Sequence, residues 1–134
     1  MKIIALDIGD RWTGIAISDP TGIIARPLTT VATADLEDYL SRLILDESVT
    51  CIVAGYPKTL RGTESEQTRK TIQRVQDLQK KFTHVTWELW DERLTSKQAA
   101  QIKQARTKEE KLASHARAAA LILSSYLEYK RLHR

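Results

Sequence analysis

The sequence predicts an α/β fold: a mixed five-stranded sheet, an antiparallel meander followed by parallel strands, with helices on both faces. Three observations predict it. Residues 2–7 (KIIALD) and 50–55 (TCIVAG) are short and almost wholly apolar, as strands covered on both sides must be. Tight turn signals, above all "DPTG" at 19–22, break the first thirty residues into extended segments. Beyond residue 33, apolar residues at helical spacing alternate with further strand-like runs.

Taken in order, the first strand ends in a lone acid, Asp7. Residues 14–19 (GIAISD) and 23–28 (IIARPL) supply the next two strands. Residues 34–47 place Leu36, Leu40, Leu43 and Ile44 on one helical face, with Thr33 as the expected cap. The strand at 50–55 runs into "YPKTLRGTE", a loop by its proline, glycine and charge content. A polar helix over 66–82 carries a thin seam of Ile72, Val75, Leu78 and Phe82. "HVTWELW" at 84–90 alternates as a strand, and a helix is expected from Thr95 or Ser96. The last helix, about 114–130, offers small residues at 116, 118, 119 and 120 for close packing on a sheet, completed by Leu123 and Leu127.

A chain of 134 residues is expected to form one domain with its own core. Its composition, 42% hydrophobic and 28% charged, is that of a globular protein rather than a disordered or fibrous one. No segment is long and apolar enough to span a bilayer, and Asp7 interrupts any signal-peptide core, so a cytoplasmic location is expected. The single cysteine, Cys51, reads as a buried thiol in a reducing compartment. Net charge is +4 but unevenly spread. Residues 1–50 carry 4 basic and 8 acidic side chains, whereas residues 103–134 carry 8 and 3. An acidic centre inside a basic rim would attract a polyanion, nucleic acid first. A solvated basic helix would produce the same count.

In such a sheet the carboxyl ends of adjacent parallel strands share a crevice where ligands bind. Asp7, Asp91 and Glu92 all fall at strand ends of this kind. Carboxylates gathered there need a cation, and oxygen ligands select Mg²⁺ or Mn²⁺. Cations shared between protein and phosphate suit phosphodiester hydrolysis. "DER" before a helix is equally served by a structural role, with Glu92 favoured by the helix dipole and Arg93 paired locally.

These residues carry a resemblance. "LDIGDRWTGIAISD" at 6–19, "IVAGYPKTLRGTE" at 52–64, "DERLTS" at 91–96 and "HARAAALILSSYL" at 115–127 occur in the order of the four motifs of the YqgF/RuvX family. That family comprises pre-16S rRNA nucleases also described as Holliday-junction-resolvase-like. The resemblance spans nearly the whole chain and implies an RNase H-like fold. It implies that Asp7 is the central metal-bridging carboxylate and Glu92 a second ligand, with Asp91 a weaker candidate. Gly9 and Gly14 would serve close turns in the first hairpin, and Gly55, Pro57, Gly62 and Glu64 would shape a loop beside the site. Lys58 and Arg61 in that loop, and Arg93, have the charge to hold a phosphate backbone. The substrate implied is the 5′ end of pre-16S rRNA in ribosomal particles, with branched DNA as the alternative. Oligomeric state stays open.

One position departs from the family. The third acid, in "DxxAA", is here His115, which is expected in the first turn of the last helix. A neutral imidazole can ligate a metal but removes a negative charge and favours borderline metals, so Mn²⁺ would be preferred over Mg²⁺. Glu109 and Glu110 lie a short way upstream and could replace that charge. Of the tryptophans, Trp87 is expected to pack in the sheet, while Trp12 beside Arg11 is placed to contact nucleic acid.

Two other readings begin from the same residues. "DIGDRWTGIAISD" also resembles the phosphate hairpin of actin-like ATPases and sugar kinases, which need a second domain and a second phosphate loop. A nucleic-acid-binding module weakened in catalysis would also carry His115.

Overall fold

The computed structural model describes residues 1–56, 66–91 and 107–133. Five strands form one sheet in the order β3-β2-β1-β4-β5: β1 (Lys2–Ile8), β2 (Trp12–Ser18), β3 (Ala25–Ala32), β4 (Val49–Tyr56) and β5 (Thr86–Asp91). The β1–β2 and β2–β3 pairs are antiparallel, and β1–β4 and β4–β5 are parallel. This is the predicted meander followed by parallel strands. The helices are α1 (Leu36–Asp46), α2 (Glu66–Lys81) and α3 (Lys108–Leu132). No helix among the described residues is long and apolar enough to cross a membrane.

The period of two along β1 sorts the core into two layers. Ile4, Leu6 and Ile8 face one side with Leu40 and Ile44 of α1 and Val75 and Leu78 of α2. Ala5 faces the other side with Ala16, Val53 and, from α3, Ala119, Ile122, Leu123 and Leu127. Small side chains on both surfaces let α3 approach the sheet closely. Gly14 marks the tightest point: a Cβ there would lie 1.9 Å from the carbonyl oxygen of His115. Only glycine fits beneath that turn of helix.

Several boundaries differ from expectation, each for a local reason. The last helix starts at Lys108, well before Ser114, because Thr107 and Glu110 form a reciprocal capping box. Thr33 does not cap α1; residues 33–35 form a short 3₁₀ turn, and Asp35 stands at the N-cap without a side-chain bond. The Thr33 hydroxyl instead donates to the Gly9 carbonyl at 2.7 Å and bonds the Thr13 hydroxyl at 2.9 Å. The third strand continues to Ala32 and contains Pro27, which an edge strand tolerates. The turn at 19–22 forms as predicted, with Gly22 at φ 72° and the Asp19 carboxylate accepting from the Ile23 and Ile24 amides at 2.8 Å each. Trp87 packs against the layer below the sheet, as expected, its indole N–H donating to the Phe82 carbonyl at 3.1 Å. The helix expected from Thr95 or Ser96 lies outside the described residues.

Candidate active site

The carboxyl ends of β1, β4 and β5 and the start of β2 lie at one end of the sheet. Asp7 stands among them, opposite Gly14 of β2 on one side and Gly55 of β4 on the other. By alternation it shares the face of Ala5, the face that α3 covers. Asp7 is partly buried and forms no ion pair or side-chain hydrogen bond with any other described residue. A carboxylate so placed lacks the partner that burial demands. It has the donor chemistry for a hard divalent cation.

The hairpin after Asp7 is held from three directions. The Gly9 amide donates to the Trp12 carbonyl at 2.9 Å, and the Thr33 amide donates to the Arg11 carbonyl at 2.9 Å. Arg74 of α2 donates to the Gly9 carbonyl and to Asp10 Oδ1, both at 3.2 Å. A Cβ at Gly9 would come within 2.8 Å of the Trp12 carbonyl oxygen, so the tip closes tightly only with glycine there. Held in this way, the tip presents Arg11 and Trp12 together, the guanidinium 5.6 Å from the indole centroid.

His115 reaches this end of the sheet along α3. Its backbone lies over Gly14, next to Asp7 in the sheet. The residue also lines a cavity of about 320 Å³ together with Arg11, Trp12, Lys108, Lys111 and Leu112. Because α3 starts at Lys108, His115 sits two turns inside the helix rather than in its first turn. Glu110, expected as a reserve of negative charge, engages the Thr107 amide in the capping box.

Asp91 ends β5 opposite Tyr56, one step beyond the Trp90–Gly55 pair. Trp90 packs on the α3 face, so alternation turns Asp91 to the opposite face, that of Ile52 and Ala54. The structure thus brings the His115 backbone over Gly14, the sheet neighbour of Asp7, but does not bring Asp91 to the Asp7 face. Glu92, Arg93, Lys58 and Arg61, with Pro57, Gly62 and Glu64, lie outside the described residues. Among the described residues, no group of three His, Cys, Asp or Glu side chains could hold a metal ion.

Cys51 supplies no nucleophile. Burial, then the nearby charge of Glu88, pushes its thiol up to about 11, which leaves it protonated near neutrality. The same Glu88 carboxylate accepts from the Tyr126 hydroxyl, whose titration is raised first by burial and then by that bond.

Sequence reasoning missed Arg74, whose contact with the hairpin spans 65 positions and leaves no local signal. It also missed Lys108 and Lys111, although their spacing with Leu112 and His115 is that of one helical face.

A model of the family described as "RuvX: Holliday junction resolvase" matches residues 1–129. The chain belongs to the RuvX family. Membership makes it a nuclease, a hydrolase of phosphodiester bonds. A protein of Rubrobacter xylanophilus, named as a candidate pre-16S rRNA nuclease, is 40% identical over 128 residues, covering 95% of this chain and 92% of its own. One of Thermoanaerobacter pseudethanolicus, named likewise, is 38% identical over 140 residues and 96% of each chain. Among solved structures, Thermus thermophilus RuvC in complex with a Holliday junction substrate superposes with a TM-score of 0.63 at 16% identity, over 99% of this chain and 96% of that one. That likeness establishes the RNase H-like fold of the family and leaves the substrate to other arguments.

Proposed function

We propose that this RuvX-family chain cleaves a phosphodiester bond of precursor 16S rRNA near its 5′ end, at a divalent-cation site centred on Asp7 and completed by Glu92, with His115 beside it. The observation that carries the reading is the partly buried Asp7 carboxylate at the crowded end of the sheet, without a partner among the described residues. β5 presents Trp90 to the Asp7 face and Asp91 to the other, so the second carboxylate is assigned to Glu92 rather than Asp91. The relatives' names supply the RNA substrate.

In this reading Asp7 offers oxygen donors to the cation. A bound Mg²⁺ or Mn²⁺ would activate water and stabilise charge on the phosphoryl oxygens. Arg11 and Trp12 on the braced hairpin, with Lys58, Arg61 and Arg93, hold the polynucleotide backbone across the site. His115 in place of an acid lowers the negative charge available, which shifts preference from Mg²⁺ toward Mn²⁺.

Branched DNA is the second substrate considered, because the family description names Holliday junction resolution. Symmetric resolution needs two sites and hence two copies, whereas trimming an RNA end needs one. Cleavage of a pre-16S leader and of a four-way DNA junction, each in Mg²⁺ and Mn²⁺, separates them. Asp7→Asn and Glu92→Gln should each lower the rate at least about a thousandfold on the preferred substrate, the scale of losing groups that act as a unit. Faster cleavage of the junction than of the leader would transfer the assignment to DNA. Full activity in either variant would refute the site.

A further inference from the structure

The cavity beside His115 is chemically unlike the Asp7 crevice. Lys108, Lys111, Leu112 and His115 line it from a single face of α3, and Arg11 and Trp12 line it from the hairpin tip. Arg11, Lys108 and Lys111 form no ion pair with any other described residue. Two of the acids near in sequence are engaged elsewhere: Asp10 pairs with Arg74 at 3.2 Å, and Glu110 holds the Thr107 amide at 3.3 Å. Three cations with no ion pair among the described residues, around an indole, form a place for an anion attached to a flat ring. At about 320 Å³ the space lies at the small end of ligand pockets, about 300–1,000 Å³. A groove for duplex nucleic acid is far larger.

We infer that this cavity is a subsite for one unpaired nucleotide, its base stacked on Trp12 and its phosphate held by Arg11, Lys108 and Lys111. Stacking requires a base free of its complement, because a paired base has both faces occupied by neighbours in the helix. The Arg11 guanidinium over the indole adds positive charge to the site. Thr33 and Arg74 fix the hairpin, so the surface is formed before substrate arrives and less ordering is needed on binding. The subsite lies on the β2 side of Asp7, and β4 and β5 lie on the other. A strand crossing the end of the sheet would therefore place one nucleotide here while its neighbouring phosphate meets Asp7. The inference rests on the nuclease reading for that placement, and it makes single-stranded nucleic acid next to the cut the substrate feature recognised.

The test uses fluorescence anisotropy with a labelled single-stranded oligouridylate and a fully paired RNA duplex of the same length, all in the Asp7→Asn background without metal. Trp12→Ala should weaken single-strand binding by about tenfold, within the range of one base–aromatic stack, and Trp12→Phe should restore most of it. Lys108→Gln with Lys111→Gln should lower the slope of log affinity against log salt by about 0.7 per lysine. Duplex affinity should fall by less than twofold in the Trp12 variants. Single-strand affinity and salt slope equal to those of the Asp7→Asn parent in both sets would overturn the subsite. So would an equal loss on duplex and single strand in Trp12→Ala. Failure of the nuclease reading has a separate signature, metal-dependent cleavage that survives Asp7→Asn, and it leaves these affinities unaffected.

Discussion

Asp7 is a partly buried carboxylate with no ion pair or side-chain hydrogen bond among the described residues. If the group serves a cation rather than stability, removing its charge should relieve the fold while ending catalysis. Asp7→Asn is expected to melt at the same temperature as the parent protein or higher in metal-free buffer, with cleavage lost. A differential scanning measurement beside the cleavage assay checks both halves. Gly14 carries the opposite expectation. Its Cβ would collide with helix backbone, not with a side chain able to swing away. Gly14→Ala should therefore cost about 3 kcal/mol in urea unfolding, the upper end for overpacking, and should displace His115 with it. Cys51 should react with a thiol reagent at pH 8 more slowly than a free thiol, because the raised titration and the partial burial both withhold the thiolate. Asp7 was legible in the sequence because an acid ending an apolar strand is anomalous. The environment of His115 was not, since a side chain's direction depends on where its helix begins.

That beginning decides much at the scale of elements. "TKEE" at 107–110 has the Thr-x-x-Glu form of a capping box, so the start of α3 was readable, but the alanine-rich stretch downstream draws the eye past it. Thr107→Ala should cost about 1 kcal/mol by chemical denaturation. It should also loosen the turn that carries Lys108 and Lys111. The β2–β3 turn makes a pH prediction. The Thr21 hydroxyl first, then the Ile24 amide, hold the Asp19 carboxyl at about 2, below its ordinary 3.8. A carboxyl depressed in the folded state stabilises above its unfolded value and loses that contribution as pH falls through its folded one. Between 3.8 and about 2 the melting temperature should drop less steeply in Asp19→Asn than in the parent protein. Thr33 escaped sequence reading because a threonine before a helix suits a cap, yet here its hydroxyl is drawn to the Gly9 carbonyl across the chain. Long-range partners of this kind leave no local pattern.

Over the whole molecule, strand order and direction followed from apolar runs, turn signals and the alternation of helix with strand, all of which are local. The face on which a residue lies at a strand's end is a matter of register, and register set Asp91 apart from Asp7. Asp91 follows Trp90 in β5 and so takes the opposite face of the sheet, which no local count of acids reveals. The uneven charge of the chain becomes concrete in the same way: basic residues of α3 and of the hairpin surround the sheet end where Asp7 stands. The central claim is that a single cation site on the α3 face, built on Asp7, performs the hydrolysis. Calorimetric titration of Mn²⁺ into the metal-free protein and into its Asp7→Asn and Asp91→Asn variants tests it most directly. The claim requires saturable binding that Asp7→Asn abolishes and Asp91→Asn leaves within about twofold; binding that survives Asp7→Asn, or that vanishes only with Asp91→Asn, would contradict it.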